Sequence, residues 1–204
     1  VPNMASGSHC DSTRPLDSST SRDKLVTTQA RFPLFVLSST ARSESPSFRR
    51  FRSDLRQSGG LMVSRPTRVR DVFDQVRNLA PATHVLFLGD RDTPAPDFLA
   101  TVDEAVFENF SEDVLYADKT RGHKKALWQE RLRLPAWSPH RIEHENFVGE
   151  SFVVRIPFLL SVESQFEPDA TWDSWALLRA AKARSANILK VDQTWFVSAG
   201  VAIE

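Results

Sequence analysis

Apolar residues in this chain keep two alternating rhythms, and that alternation admits few folds. Strand-sized runs, such as FPLFVLSS at 32–39 and HVLFL at 84–88, are continuous and end in small or polar residues. Between them, apolar residues recur every three or four positions, which predicts amphipathic helices. Phe48, Phe51 and Leu55 mark one helix over 47–58, and Val69, Val72, Phe73, Val76 and Leu79 mark the next. Phe98, Val102, Val106 and Phe110 mark a third over 97–110. GGLMVS at 59–64 reads as a turn and a short strand, and DVLYADKT at 113–120 as a strand running into a charged loop. Residues 137–155 read as a helix begun at Ser138–Pro139, then a turn, then a strand ending near Arg155. IPFLL opens another short helix, Trp172, Trp175, Leu177 and Leu178 stripe a helix over 171–184, and ILKVDQTWFVS closes with a strand. Residues 89–96 read as a loop and 121–134 as irregular. Strands alternating with helices predict an α/β sandwich with a largely parallel sheet.

The chain's 204 residues suit one domain, or one domain and a tail. Residues 1–29 are rich in Ser, Thr and Asp with almost no apolar periodicity, so they read as a disordered tail ahead of a domain over 30–204. Formal net charge is zero, which removes a whole-chain argument for nucleic acid or an anionic membrane. Basic residues cluster locally at Arg49, Arg50, Arg52 and Arg56, and again at Arg65, Arg68 and Arg70. Such a run is either a solvated face or a patch that meets phosphates or anionic lipid. Cys10 is the only cysteine, so intrachain disulfides and cysteine-based zinc sites are excluded, in keeping with a reducing compartment. No apolar run approaches the roughly 18 residues of a membrane-spanning helix, and no basic-then-apolar leader opens the sequence. Glycine-rich phosphate loops and a Gly-x-Ser-x-Gly elbow are absent from the sequence.

The acidic loop carries the chemistry. In open α/β sheets ligands bind beyond the carboxyl ends of the strands, and VLFLGDRD puts Asp90 and Asp92 at such an end, with Arg91 between them. Two carboxylates so spaced can face Mg²⁺ or Mn²⁺ together and bridge it to a diphosphate. They can equally cap the following turn or helix. Arg91 offsets part of the negative field and is itself able to meet phosphate. Asp173 reads from spacing alone as an acid favoured by a helix N-terminus. Trp172 and Trp175 read as core anchors. His140 and His144 lie four apart without a third ligand at a suggestive spacing, and Ser138 reads as a helix N-cap.

Four ordered segments resemble one family. LFLGDRDTPAPDFL, VLYAD, LPAWSPHRIEHENFVGESFVVRIPFL and TWDSWALLR occur in that order over roughly 84–198. They are similar to the acidic loop, the following strand, the cleft segment and the base-bearing helix of inverting family-two glycosyltransferases. The resemblance implies a GT-A-like three-layer α/β/α sandwich with a mostly parallel central sheet. It implies that Asp90 and Asp92 hold Mn²⁺ or Mg²⁺ and that Asp173 is the catalytic base. It places Trp137, Asn146 and Gly149 in the donor and acceptor cleft, with Arg179 on the base-bearing helix and Arg91 toward the nucleotide sugar. FPLFVLSST is similar to the family's second strand, so the first strand is expected to be missing, and Arg91 and Trp175 stand where the family has acids. The partners implied are a nucleotide-diphosphate sugar and a saccharide or lipid-linked saccharide acceptor, with no nucleic acid. The place implied is the cytoplasm, with a peripheral contact to the inner face of a membrane or to a partner domain. A GT-A-like module that only binds or assembles is the competing expectation.

Limited proteolysis checks the tail. Residues 1–29 are expected to be trimmed first, leaving a resistant 30–204 core, and resistance of the tail itself would overturn that reading.

Overall fold

The computed structural model describes residues 34–38, 46–79, 82–122 and 129–199. The expected tail over 1–29 lies outside the described residues. The described elements are β1 (Leu34–Ser38), α1 (Pro46–Gln57), β2 (Leu61–Ser64), α2 (Val69–Arg77), β3 (His84–Leu88), β4 (Asp92–Pro94) and α3 (Phe98–Glu108), followed by β5 (Val114–Gly122), β6 (Gln129–Leu132), β7 (Phe152–Arg155), α4 (Ile156–Ser161), α5 (Ser174–Ala183) and β8 (Ile188–Ala199).

The sheet runs β2-β1-β3-β7-β5-β8-β4, with β6 paired to β5. β1 is parallel to β2 and β3, and β5 is parallel to β8. β7 runs against both β3 and β5, β4 against β8, and β6 against β5. Five strands therefore share one direction. β1 is hydrogen-bonded along both edges, so the sheet has no gap beside it where a lost first strand would have to insert. Among the described residues, the path of the sheet ends at β2 on one side and β4 on the other.

Strand alternation builds two cores from one sheet. Phe35, Leu37, Val85, Phe87, Val114, Tyr116, Phe152 and Val154 face one side and pack under α2, α4 and α5. Val36, Leu86, Leu88, Leu115, Ala117 and Val153 face the other and pack under α1 and α3. This is the three-layer α/β/α sandwich expected. Each such fully buried side chain contributes about 1.5–3 kcal/mol relative to exposure. The central strands are continuous apolar runs because both of their faces are covered.

Three elements depart from the sequence expectation. The loop after β3 contains β4, whose three residues pair with the end of β8. The basic stretch 121–134 contains β6, which forms a ribbon with the end of β5. Both are short and polar, and tertiary pairing rather than periodicity makes them strands. The helix expected at Ser138–Pro139 is a single 3-10 turn over Arg141–Glu143 whose N-cap is His140 rather than Ser138; Ser138 Oγ accepts from the Arg141 N–H at 3.3 Å.

His84 opens β3 at the amino end of the sheet and is 2% exposed. Its Nδ1 meets Thr83 Oγ1 at 2.9 Å, and its Nε2 is buried with no hydrogen-bond partner among the described residues. Burial, assisted by the Arg155 charge, lowers its pKa from 6.5 to about 4. The folded state therefore binds this proton less readily than the unfolded chain. Stability from neutral His84 is complete above about pH 6.5 and is lost as pH falls toward 4, amounting to about 3 kcal/mol. Urea titrations across that window are expected to show the loss in the parent and a flatter profile in His84→Gln.

Candidate functional site

The site grows from the carboxyl end of β3. Leu88 is buried and Gly89 follows it against the segment that enters β7: a Cβ at Gly89 would lie 2.5 Å from the Glu150 Cβ. Glycine is required here for close approach of two backbones. The Gly89 N–H donates to Ser151 Oγ at 2.9 Å, and Ser151 Oγ donates to Asp92 Oδ2 at 2.6 Å. Two consecutive residues, Glu150 and Ser151, thus join the acidic loop to the segment that enters β7.

Asp92 is 4% exposed and lies on β4 opposite Ser198. Its Oδ2 accepts from Lys119 Nζ at 2.6 Å, and its Oδ1 accepts from the Ser198 hydroxyl. Burial alone would raise the Asp92 pKa. Lys119 and the two serine hydroxyls outweigh that effect and hold it below the usual carboxylate range. Lys119 reaches this place because β5 and β8 slip register between Ala117 and Lys119, with the extra residues on β8. Asp118, the preceding residue, sits on the opposite side of the strand and is 0% exposed. It accepts from Lys190 Nζ at 2.9 Å, the Leu134 N–H at 2.9 Å and Arg131. Burial pushes Asp118 upward, and these donors overcome it and hold its pKa below the ordinary value.

Asn146 and Gly149 form a closed turn above Lys119. Asn146 Oδ1 accepts from the Gly149 N–H at 2.9 Å, and its amide donates to the Gly149 carbonyl at 3.2 Å. Gly149 has φ +85, and a Cβ there would lie 2.8 Å from Lys119 Nζ. The position needs glycine twice over, for its backbone and for the ammonium beneath it. Trp137 packs against Phe147 beside this turn, with ring centroids 5.9 Å apart.

Asp90 and Arg91 are exposed at the tip of the loop. Asp90 and Glu150 both interact electrostatically with Arg65, which leaves the end of β2. The Arg65 N–H donates to the Ser38 carbonyl at 2.7 Å, at the end of β1. Its side chain is half-buried, and Nη1 is buried without a hydrogen-bond partner among the described residues. Burial lowers the Arg65 pKa, while Glu150 and Asp90 act to raise it.

Asp173 arrives at the same strand ends by a different route. The Trp172 N–H donates to the Thr67 carbonyl at 2.7 Å, and Thr171 bridges Arg68, in the loop that carries Arg65. Trp172 stacks on Phe87 of β3 with centroids 4.8 Å apart, three residues before Asp90. Asp173 is the N-cap of α5: Oδ1 accepts from the Trp175 N–H at 2.9 Å, and Oδ2 lies 4.0 Å from Arg179. Arg179 lies over the Trp175 ring at 5.0 Å, and Trp175 Nε1 donates to the Ile142 carbonyl at 2.5 Å. Trp172 is the core anchor expected; Trp175 is half-buried and ties α5 to the cleft segment.

Of the eight site residues read from the sequence, the structure joins Asp92, Asn146 and Gly149 through Lys119, and Asp173 with Arg179. Asp90 and Arg91 sit at the loop tip, and Trp137 packs behind the turn. Lys119, Arg65, Glu150, Ser151 and Ser198 were not singled out by the sequence reading. Strand alternation after Asp118 could have flagged Lys119, since it puts a lysine on the covered side of a buried strand. Ser198 had no such signal.

The donor set at Asp92 does not fit a divalent cation. Both of its oxygens are engaged, an ammonium lies against one of them, and no group of three or more His, Cys, Asp or Glu side chains among the described residues is placed to hold a metal. Lys119 stands beside Asp92, where the sequence reading expected Mn²⁺ or Mg²⁺ between Asp90 and Asp92. His140 and His144 flank the 3-10 turn, both exposed.

No family model and no curated relative matches the chain. Among solved structures, residues 1–349 of S. aureus TarS superpose with a TM-score of 0.50 at 15% identity, covering 82% of this chain. The chain spans 60% of that TarS chain. A CMP:2-keto-3-deoxy-manno-octonic acid synthetase complexed with CTP matches with a TM-score of 0.42 at 11% identity, covering 81% of this chain and 90% of the other. A mycobacterial protein matches with a TM-score of 0.43 at 9% identity, covering 86% and 70%. The TarS likeness is one of fold, and it agrees with the three-layer α/β/α architecture described above.

The ion pair is expected to be structural. Asp92→Ala strands a buried ammonium and is expected to cost about 3–5 kcal/mol, whereas Asp92→Asn with Lys119→Met removes both charges and costs far less. Equal losses in urea unfolding would show that the pair is not coupled in this way.

Proposed function

We propose that the chain is the donor-binding portion of a glycosyltransferase that moves one sugar from a nucleotide diphosphate to a hydroxyl acceptor with inversion. The observation that carries this reading is a convergence. Charged side chains from the ends of β2, β3 and β5, the turn before β7 and the N-terminus of α5 are tied to one end of the sheet, by the loop carrying Arg65 and by the 149–151 segment. Ligands of open α/β sheets bind at that end. The fold likeness to TarS, a glycosyltransferase, and the ordered resemblance over 84–198 support the same class.

In this reading Asp173 is the general base. One of its oxygens caps α5, and the other, 4.0 Å from Arg179, would take the acceptor proton as the hydroxyl oxygen attacks the anomeric carbon. The bond from that carbon to the diphosphate oxygen breaks, and the leaving group departs on the opposite face. The Trp175 N–H at the start of α5 and nearby Arg179 orient the Asp173 carboxylate. Arg65 and Arg91 face the diphosphate, and Trp137, Asn146 and Gly149 shape the wall of the sugar space. Cell-surface or exopolysaccharide glycans are the products proposed, from a saccharide or lipid-linked saccharide acceptor at the cytoplasmic face of a membrane. Among the described residues, no helix is long and apolar enough to cross a membrane.

One observation favours a second reading, a GT-A-like module without turnover: Asp173 already caps a helix and Asp92 is sealed by a lysine. Asp173→Asn separates the two. Asparagine also caps helices well, so the fold is retained. In an enzyme the change is expected to lower transfer by roughly 10²–10⁴-fold while leaving nucleotide-diphosphate affinity within about twofold. Unchanged turnover refutes the base. Nucleotide binding without turnover in the parent favours the module.

A further inference from the structure

We infer that this chain pairs with a second copy of itself through the outer faces of α1 and α3, with α1 of each copy lying on α3 of the other. The inference is independent of the donor-binding reading. Its starting point is charge. α1 carries Arg49, Arg50, Arg52 and Arg56 against one acid, Asp54. α3 carries Asp103, Glu104 and Glu108 and no basic residue, and Asp97 stands just ahead of it. Arg49, Arg50, Arg56, Asp97, Glu104 and Glu108 are all exposed. The two helices belong to one layer. Both pack on the core that includes Val36, Leu86 and Leu115, and Phe51 of α1 meets Phe98 of α3 edge-on with ring centroids 5.7 Å apart. One side of the protein thus presents a basic helix and an acidic helix together, and such a surface is complementary to itself.

Helix direction fixes the pairing. α1 returns from β1 to its parallel neighbour β2, and α3 leads into β5, which shares their direction. Both helices therefore run back across the sheet in the same sense. A two-fold axis parallel to the helices and between them lays α1 on the other copy's α3 twice over, cation on anion. An axis across the helices would lay α1 on α1 and set arginine against arginine, which repels. The spacing of the charges agrees: Arg49 and Arg56 lie two helical turns apart, as do Asp97 and Glu104, about 10.5 Å in each case. Phe107, 54% exposed and next to Glu108, adds apolar surface along which an arginine stem can lie. Two helix pairs, each about 18 Å long, cover less than about 1,200 Å² in all, the size of a weak, charge-steered association rather than a permanent dimer. A flat anionic membrane fits this side less well, because it would meet the acids of α3 together with the arginines of α1.

The test is sedimentation velocity of the full chain over a dilution series. A monomer–dimer equilibrium is expected with Kd on the order of 10 µM. It is expected to weaken about tenfold or more between about 0.05 M and about 0.5 M salt. Arg49→Glu with Arg56→Glu makes the surface mainly acidic, and Glu104→Arg with Glu108→Arg makes it mainly basic. Each variant alone is expected to be monomeric, and an equimolar mixture of the two is expected to form a dimer again, because α1 of each then matches α3 of the other. Recovery on mixing also shows that both variants are folded. Where a reversed chain melts early, glutamine at the same positions replaces the reversal and is expected to weaken the dimer about tenfold. A parent that stays monomeric well above that Kd overturns the inference. A dimer that survives either reversal, or that ignores salt, overturns it too, since its contacts then lie elsewhere. So does failure of two folded variants to pair on mixing. A monomeric parent that floats with phosphatidylserine vesicles, and loses this with Arg49→Glu and Arg56→Glu, assigns the surface to a membrane instead.

Discussion

A buried carboxylate needs a partner, and in this protein the choice of partner for Asp92 organises one whole end of the sheet. Leaving such a group unpaired costs several kcal/mol. Lys119 from β5, Ser151 at the start of β7 and Ser198 at the end of β8 all converge on it. The pairing of β4 with β8, the slip in register between β5 and β8, and the tight turn at Gly149 each serve that convergence. Removing any one of them would leave a charge or a hydroxyl stranded.

The same arrangement sets the electrostatics of the candidate site. Asp118 on β5 and Asp92 on β4 lie on strands either side of β8, and cations from the chain itself hold each carboxyl below the usual range. Acidic side chains that looked available in the sequence are therefore bound internally. What remains facing the strand ends is a mixture in which Arg65, Arg91, Asp90 and Glu150 meet.

Placement of Asp173 follows from packing remote from any charge. Trp172 lies between Phe87 and Phe166, stacked on both. That sandwich, with the Thr67 carbonyl accepting from the Trp172 N–H, sets the entry angle of α5. The helix N-terminus is delivered to the strand ends as a consequence of burying an indole, and Trp175 fixes the helix again through the Ile142 carbonyl.

The central strands and the amphipathic helices were legible in the sequence because periodic burial is local information. HVLFL is a covered strand wherever it sits, and Phe48, Phe51 and Leu55 form a stripe on any helix. The position of Asp90 and Asp92 at a strand end was legible for the same reason. Which charge would neutralise Asp92 was not, because Lys119 lies 27 residues away and its approach depends on a register slip between two strands. Nor was the distinct state of Arg65, which the sequence groups with six other arginines and which only burial separates from them. β4 and β6 became strands through pairing with β8 and β5, and β1 became an interior strand because two neighbours chose its edges. Local periodicity determined the layers of this protein; contacts between residues far apart in the chain decided which of its charges are spent on the fold and which are left to meet a ligand.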